Sequence, residues 1–98
     1  MPRRTTIDGS VVDNPAQHRF EMPVGDTLAV AYYRLDGDRV VLTHTEVPQE
    51  LAGQGVGSKL AEGTFALIRK SRRKAVTKCP FMARWASRHP SVADLVIG

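Results

Sequence analysis

Val47-Pro48-Gln49-Glu50-Leu51-Ala52-Gly53-Gln54-Gly55-Val56-Gly57-Ser58-Lys59-Leu60 places three glycines at alternate positions between a strand-like run and a helix-like run. Glycine adopts positive φ at no steric cost and lets backbone approach a ligand closely. The helix that follows offers unpaired N–H groups and the positive end of its dipole, so strand, loop and helix together form an anion site. A phosphorylated ligand is the expected guest.

The flanks of this stretch set the architecture. His18, Phe20 and Met22 alternate with Arg19 and Glu21, which predicts a strand with one buried face, followed by a turn at Pro23-Val24-Gly25-Asp26. Leu28, Val30 and Tyr32 alternate with Ala29, Ala31 and Tyr33; both faces are apolar, so the strand over Thr27–Leu35 is expected in the middle of the sheet. Asp36-Gly37 is a hairpin signal of the type I′ kind, with a return strand from Arg39 to Val47. Pro48 ends regular pairing. Beyond Gly53, the positions of Val56, Leu60, Phe65, Leu67 and Ile68 predict an amphipathic helix. A short strand over Lys74–Cys79 stops at Pro80, and a second helix is expected over Phe81–His89, with Phe81 and Trp85 in the core. Leu95, Val96 and Ile97 are then available to dock. One further short strand is expected at Ile7–Val12. Antiparallel strands, helix, strand, helix make an α+β domain.

The chain has 98 residues, 42% hydrophobic and 24% charged, which suits one globular domain. Residues 1–10 are expected to be a flexible N-terminal segment, and residues 11–98 the domain. No apolar run approaches the roughly 20 residues of a membrane span, and the two early arginines precede no secretory core. Cys79 is the single cysteine, which excludes an internal disulfide and fits a cytoplasmic location. Metal binding is not expected, because the three histidines and one cysteine lack close ligand spacing. The formal charge of +4 is concentrated in Arg69-Lys70-Ser71-Arg72-Arg73-Lys74. Such a run is usually a solvated helix end. It could also meet nucleic acid, although no aromatics are interleaved to stack bases.

The glycine loop does not suit the commonest phosphate-binding motifs. A dinucleotide fold needs it after the first strand of a parallel unit, with an acidic residue about 20 positions on; here it follows a hairpin and the later segment is basic. A P-loop needs Gly-Lys-Ser or Gly-Lys-Thr, and Gly57-Ser58-Lys59 has another order.

The loop and its surroundings resemble the GNAT acyltransferases. Their pattern, Arg/Gln-x-x-Gly-x-Gly/Ala followed by a helix, runs through Val47–Leu60, with Glu50 departing from the usual first residue. His44-Thr45-Glu46-Val47-Pro48 and Cys79-Pro80-Phe81-Met82, with Trp85 and His89-Pro90, are similar to the small single-domain branch that carries a late-strand cysteine. The resemblance covers about residues 11–95. It implies a GNAT-like mixed, mostly antiparallel sheet flanked by two helices. It also implies acetyl-CoA as acyl donor and an amine, on a small molecule or a protein lysine or N-terminus, as acceptor. Gly53, Gln54, Gly55, Val56, Gly57 and Ser58 would hold the pyrophosphate of coenzyme A, and Val47 would pair with its pantetheine arm. Arg72, Arg73 or Lys74 are candidates for the nucleotide's extra phosphate.

Three residues are candidate catalysts. Cys79, at a strand end before a helix, could accept an acyl group, orient the amine, or be an inert buried thiol. His44 and Glu46, two apart on one strand face, could take the ammonium proton. His18 and His89 have weaker claims, and His89 reads as a helix-end histidine. Two other functions fit the same chain: an acyl-CoA-binding module without turnover, and a small basic nucleic-acid-binding protein.

Overall fold

A computed structural model of the protein describes residues 10–51 and 53–98. Half of the strand expected at Ile7–Val12 lies outside the described residues; Ser10 and Val11 are not in a strand, and the first strand among the described residues is β1, Val12–Asn14. β2 (Arg19–Val24), β3 (Thr27–Asp36) and β4 (Arg39–Glu46) continue it as an antiparallel meander. Helix α1 (Val56–Lys70) then crosses to β5 (Lys74–Thr77), which lies parallel to β4, and helix α2 (Pro80–Ser87) follows. The sheet order is β1-β2-β3-β4-β5, so β3 is central as its apolar faces require. The fold is the expected α+β one.

Alternation selects the core face. Phe20, Met22 and Val24 of β2, Ala29, Ala31 and Tyr33 of β3, and Val40 and Leu42 of β4 are buried in one cluster with Val56, Leu60, Phe65 and Ile68 of α1. Met82 and Ala86 of α2 join the same cluster, so both helices bury their apolar residues against one face of the sheet. Small Ala29 and Ala31 leave room for the helix side chains above them.

Several local expectations are corrected. The first turn is shorter than Pro23–Asp26: β2 runs to Val24, and Gly25, at φ 57°, makes the reversal with Asp26. Pro23 is tolerated there because, among the described residues, the β1 ladder reaches only as far as Glu21. The β3–β4 hairpin forms with Asp36 opposite Arg39, but only Gly37 of its two central residues has positive φ, the pattern of a type II′ turn. His18 is not in a strand; it sits at φ 55° after a 3-10 turn over Pro15–Gln17. Phe81 is 37% exposed and Ile97 is 47% exposed, so neither is core. Leu95 does dock, at the end of a 3-10 segment over Pro90–Leu95.

β4 has one irregularity that positions everything else. Tyr33 pairs with Leu42, but Tyr32 pairs with His44, so Thr43 is an extra residue, a β-bulge. Because side chains alternate with period two, the insertion reverses the phase of the strand beyond it. Leu42 and Thr45 therefore both face the helices. His44 and Glu46 face the other side, with their partners Tyr32 and Val30.

Candidate active site

β4 and β5 part company after four paired positions, the last being Leu42 with Thr77. Lys78 and Cys79 both turn their N–H groups back to the Leu42 carbonyl, at 3.0 and 2.9 Å. This closes the ladder at one point and leaves Thr43–Glu46 of β4 without a β5 partner. The strand expected over Lys74–Cys79 therefore ends at Thr77, and Cys79 becomes the N-cap residue of α2, with Pro80 at its first position. A proline there is suited to helix entry, since its missing N–H has no intrahelical partner to lose.

Cys79 stands at this fork on the helix side. It is 4% exposed, and its Sγ lies 3.3 Å from Thr45 Oγ1. The bulge at Thr43 is what delivers Thr45 to this side. His44 and Glu46 flank Thr45 but point the other way. The structure thus brings His44 and Glu46 together, Nε2 to Oε2 3.2 Å, and separates that pair from Cys79 by the thickness of β4. His44 stacks on Tyr32, with ring centroids 6.2 Å apart and planes at 19°. Tyr32 in turn receives a hydrogen bond from Arg19 Nη1 at 3.3 Å. Arg19 Nε donates to Glu21 at 2.6 Å, and Asn14 Nδ2 donates to the same Glu21 oxygen at 2.9 Å. These donors hold the Glu21 carboxyl below its ordinary pKa, the Arg19 hydrogen bond first. A connected polar chain therefore runs from β1 to the His44–Glu46 pair.

The glycine loop lies against α2. Gly53 and Gly55 have φ of 82° and 78°, with open space where a Cβ would sit. These two glycines answer to backbone shape. Gly57 answers to packing: it lies inside α1, and a methyl built on it would come 2.9 Å from Phe81 Cζ. Ser58, one residue on, accepts a hydrogen bond from Trp85 Nε1 at 3.0 Å. Trp85 is sandwiched between Phe65, at 5.5 Å, and His89, at 3.7 Å, and His89 Nδ1 donates to the Trp85 carbonyl at 2.7 Å. Phe81 and Trp85 thereby tie the start of α2, and Cys79 with it, to the first turn of α1.

That first turn carries no acidic residue, and its N-cap Gly55 makes no side-chain capping bond. Gln54 helps shape the loop through its N–H to the Leu51 carbonyl, 3.3 Å, and its side-chain amide to the Glu50 carbonyl, 3.3 Å. Val56 is buried in the core and contributes backbone alone. Val47 follows β4 directly, half-buried against the core cluster. With His44, Thr45, Glu46, Pro48 and Leu28 it lines an open groove of about 470 Å³ at the end of the strand.

The basic cluster lies elsewhere. It caps the C-terminal end of α1, and fifteen residues of helix separate it from the loop by roughly 22 Å. Arg69 forks onto both oxygens of Asp94, at 2.9 and 3.0 Å, and onto the Ser91 carbonyl at 2.7 Å. Lys74 donates to the Asp94 carbonyl at 3.0 Å. Two of the cluster's cations thus hold the last 3-10 segment. Lys59, not Arg72, Arg73 or Lys74, is the cation placed in the first turn of α1. Among the described residues no group of three or more His, Cys, Asp or Glu side chains is placed to hold a metal ion. No described helix is long and apolar enough to cross a membrane.

Thr45, Tyr32 and Arg19 were given no site role from sequence, and Ser58 was expected at the pyrophosphate, not as the partner of the Trp85 N–H. The signal for Thr45 was present: three consecutive apolar residues, Val40-Val41-Leu42, break into Thr-His-Thr-Glu where the bulge falls.

Comparison with known proteins agrees with this fold. No curated protein matches the chain. Among solved structures it is similar to a GCN5-like protein from Staphylococcus aureus determined by NMR. That match has 27% identity and a TM-score of 0.70, and covers 91% of this chain and 88% of the other. The family model for GCN5-related N-acetyltransferases matches residues 19–95, from the first residue of β2 to the docking Leu95. The chain belongs to the GCN5-related N-acetyltransferase family.

Proposed function

We propose that this protein transfers an acetyl group from acetyl-coenzyme A to an amine. The observation that carries the proposal is the fork after Leu42, opening beside a loop with two positive-φ glycines. The residues present fit the donor. Gly53, Gln54, Gly55, Val56, Gly57 and Ser58 would hold its pyrophosphate through backbone N–H groups at a helix start free of acidic side chains. Val47 and the β4 residues beyond the fork would take the pantetheine arm as a missing strand.

Coenzyme A, when it carries the acetyl group, supplies a thioester carbonyl to the site. The protein's own groups lie on the two sides of β4. On the groove side, His44 and Glu46 receive the proton the amine must lose, directly or through one water. On the helix side, the Cys79 thiol, 3.3 Å from Thr45 Oγ1, would supply a proton to the departing sulfur. An N–C bond forms and a C–S bond breaks, with a proton accepted on one face and donated on the other. Transfer is direct, because no base is placed beside Cys79 among its described partners to raise it to a nucleophile.

Calorimetric titration with coenzyme A, paired with a free-thiol assay of transfer from acetyl-coenzyme A, tests the proposal. Saturable binding and amine-dependent thiol release are expected. Absence of binding would overturn it, and binding without transfer to any amine would reduce the protein to a coenzyme A carrier.

A further inference from the structure

The groove at the end of β4 restricts which amine fits, an inference that rests on the acyl-transfer reading above. Its lining is uneven. The His44–Glu46 pair stands at one end, both side chains more than half exposed. Leu28, Val47 and Pro48 present carbon beyond it. Glu46 pairs with Val30, and Leu28 lies two residues further along β3 on the same face. That offset is one strand repeat, roughly 7 Å. Leu28 is 39% exposed, an apolar surface open to contact.

Charge narrows the choice. Glu46 is the only carboxylate among the described lining residues, in a chain whose net charge is +4. A cation docking there finds a local partner that the molecule as a whole does not offer, while an anion drawn in by the net charge is repelled by Glu46 at the groove itself. Shape narrows it further. One strand end and Pro48 make the walls, and no aromatic ring faces another across the groove to clasp a flat arylamine. The α-ammonium of a polypeptide carries a branched carbon and a peptide group next to its nitrogen, bulk that would have to fit beside Val47 and Pro48. An unbranched stem is slender there, and a four-carbon one spans the distance from Glu46 to Leu28.

The geometry points to an unbranched alkyl primary ammonium as the acceptor, its nitrogen at Glu46 and its stem along Leu28 and Pro48. Glu46 pairs with the ammonium as it docks. The ammonium gives one proton through His44 to water, the free amine attacks, and its nitrogen gains the acetyl carbon and sheds its second proton by the same route. The donor's C–S bond breaks, and the departing thiolate takes a proton from the Cys79 thiol, which is restored from water. Two sources carry this chemistry: a lysine side chain on a polypeptide and a free diamine.

Four acceptors, tested in parallel with acetyl-coenzyme A and followed by thiol release, decide the matter. They are a lysine peptide with a blocked N-terminus, a lysine-free peptide with a free α-amine, an α,ω-diamine and an arylamine. The expected result is a kcat/KM at least about tenfold higher for the lysine peptide or the diamine than for the other two. Preference between those two names the source and supports the assignment either way. Leu28→Ser should raise KM for the preferred acceptor about tenfold with kcat within about twofold. Leu28→Thr, a better strand former, should do the same without lowering Tm. Preference for the α-amine or the arylamine, or a KM unmoved by both variants, would overturn the assignment. Coenzyme A binding on the same preparation separates the two levels: binding without transfer to an alkylamine sinks the acceptor class alone, and no binding sinks the transfer reading with it.

Discussion

Gly57→Ala asks why the third glycine of the loop is a glycine. In a helix interior alanine is favoured over glycine by about 0.8–1 kcal/mol. Against this, the new methyl would stand 2.9 Å from Phe81 Cζ, about 0.6 Å short of the roughly 3.5 Å at which carbon atoms pack. The Phe81 ring is 37% exposed and approaches with its far end, so it can swing aside. Its displacement should cost about 1 kcal/mol, the low end of overpacking. The two effects nearly cancel, and the single substitution should shift stability by less than about 0.5 kcal/mol. In a Phe81→Ala background the obstruction is gone, and Gly57→Ala should stabilise by nearly the full helical preference. Urea denaturation of the four proteins should therefore give a coupling of about 1 kcal/mol, or 4–8 °C in Tm for a domain of this size. Additivity within about 0.3 kcal/mol would refute the packing explanation. The double variant should also still bind coenzyme A; loss of binding with stability intact would show that a phosphate, not Phe81, demands the glycine.

Cys79→Ala should lower kcat about a hundredfold through loss of the proton donor, and Cys79→Ser should recover most of it. A burst of one equivalent of free thiol before steady state would refute direct transfer, since only an acyl-enzyme releases coenzyme A ahead of the amine. Tyr33 has its pKa pushed up to about 12, by burial first and then by its hydrogen bond to Asp13. The folded state thus holds the phenol proton more tightly than the unfolded chain, whose tyrosine titrates near 10. This contribution to stability is whole below about pH 10 and is lost as pH rises towards 12. Tyr33→Phe should flatten the fall in urea midpoint between about pH 9 and 11.5, and an unchanged fall would count against the assignment. Arg69→Ala should release the last 3-10 segment, seen as faster amide exchange at Val92 and Val96. Unchanged exchange there would show that Arg69 is ornamental to that segment.

The sequence made the hairpin, the α1 stripe and the order of elements legible because each rests on local periodicity and turn chemistry. Asp36-Gly37, Pro48 and Pro80 are punctuation that reads the same in a peptide as in the fold. His44 and Glu46 were rightly paired, since residues two apart share a strand face. Which face they share was not legible, because it depends on Thr43 being skipped in the pairing with β3, where only its hydroxyl reaches the Tyr32 carbonyl. Cys79 was found by position, yet its contact with Thr45 spans 34 residues. Gly57 was grouped with its two neighbours because spacing cannot separate a glycine required by φ from one required by a ring 24 residues away. Non-local contacts decide all three, and one-dimensional pattern does not carry them.

The bulge makes β4 sensitive to length in a way that it is not sensitive to substitution. Replacing Thr43 alters one exposed side chain. Deleting it would close the bulge and leave both faces as they are, since Leu42 opposite Tyr33 and His44 opposite Tyr32 would become consecutive pairs; pairing Thr43 with Tyr32 instead would turn His44 and Glu46 under the helices and Thr45 away from Cys79. Libraries that vary residues along this strand would therefore sample its chemistry, whereas a residue added beyond the bulge, or a bulge flattened with Thr43 still present, would invert the site.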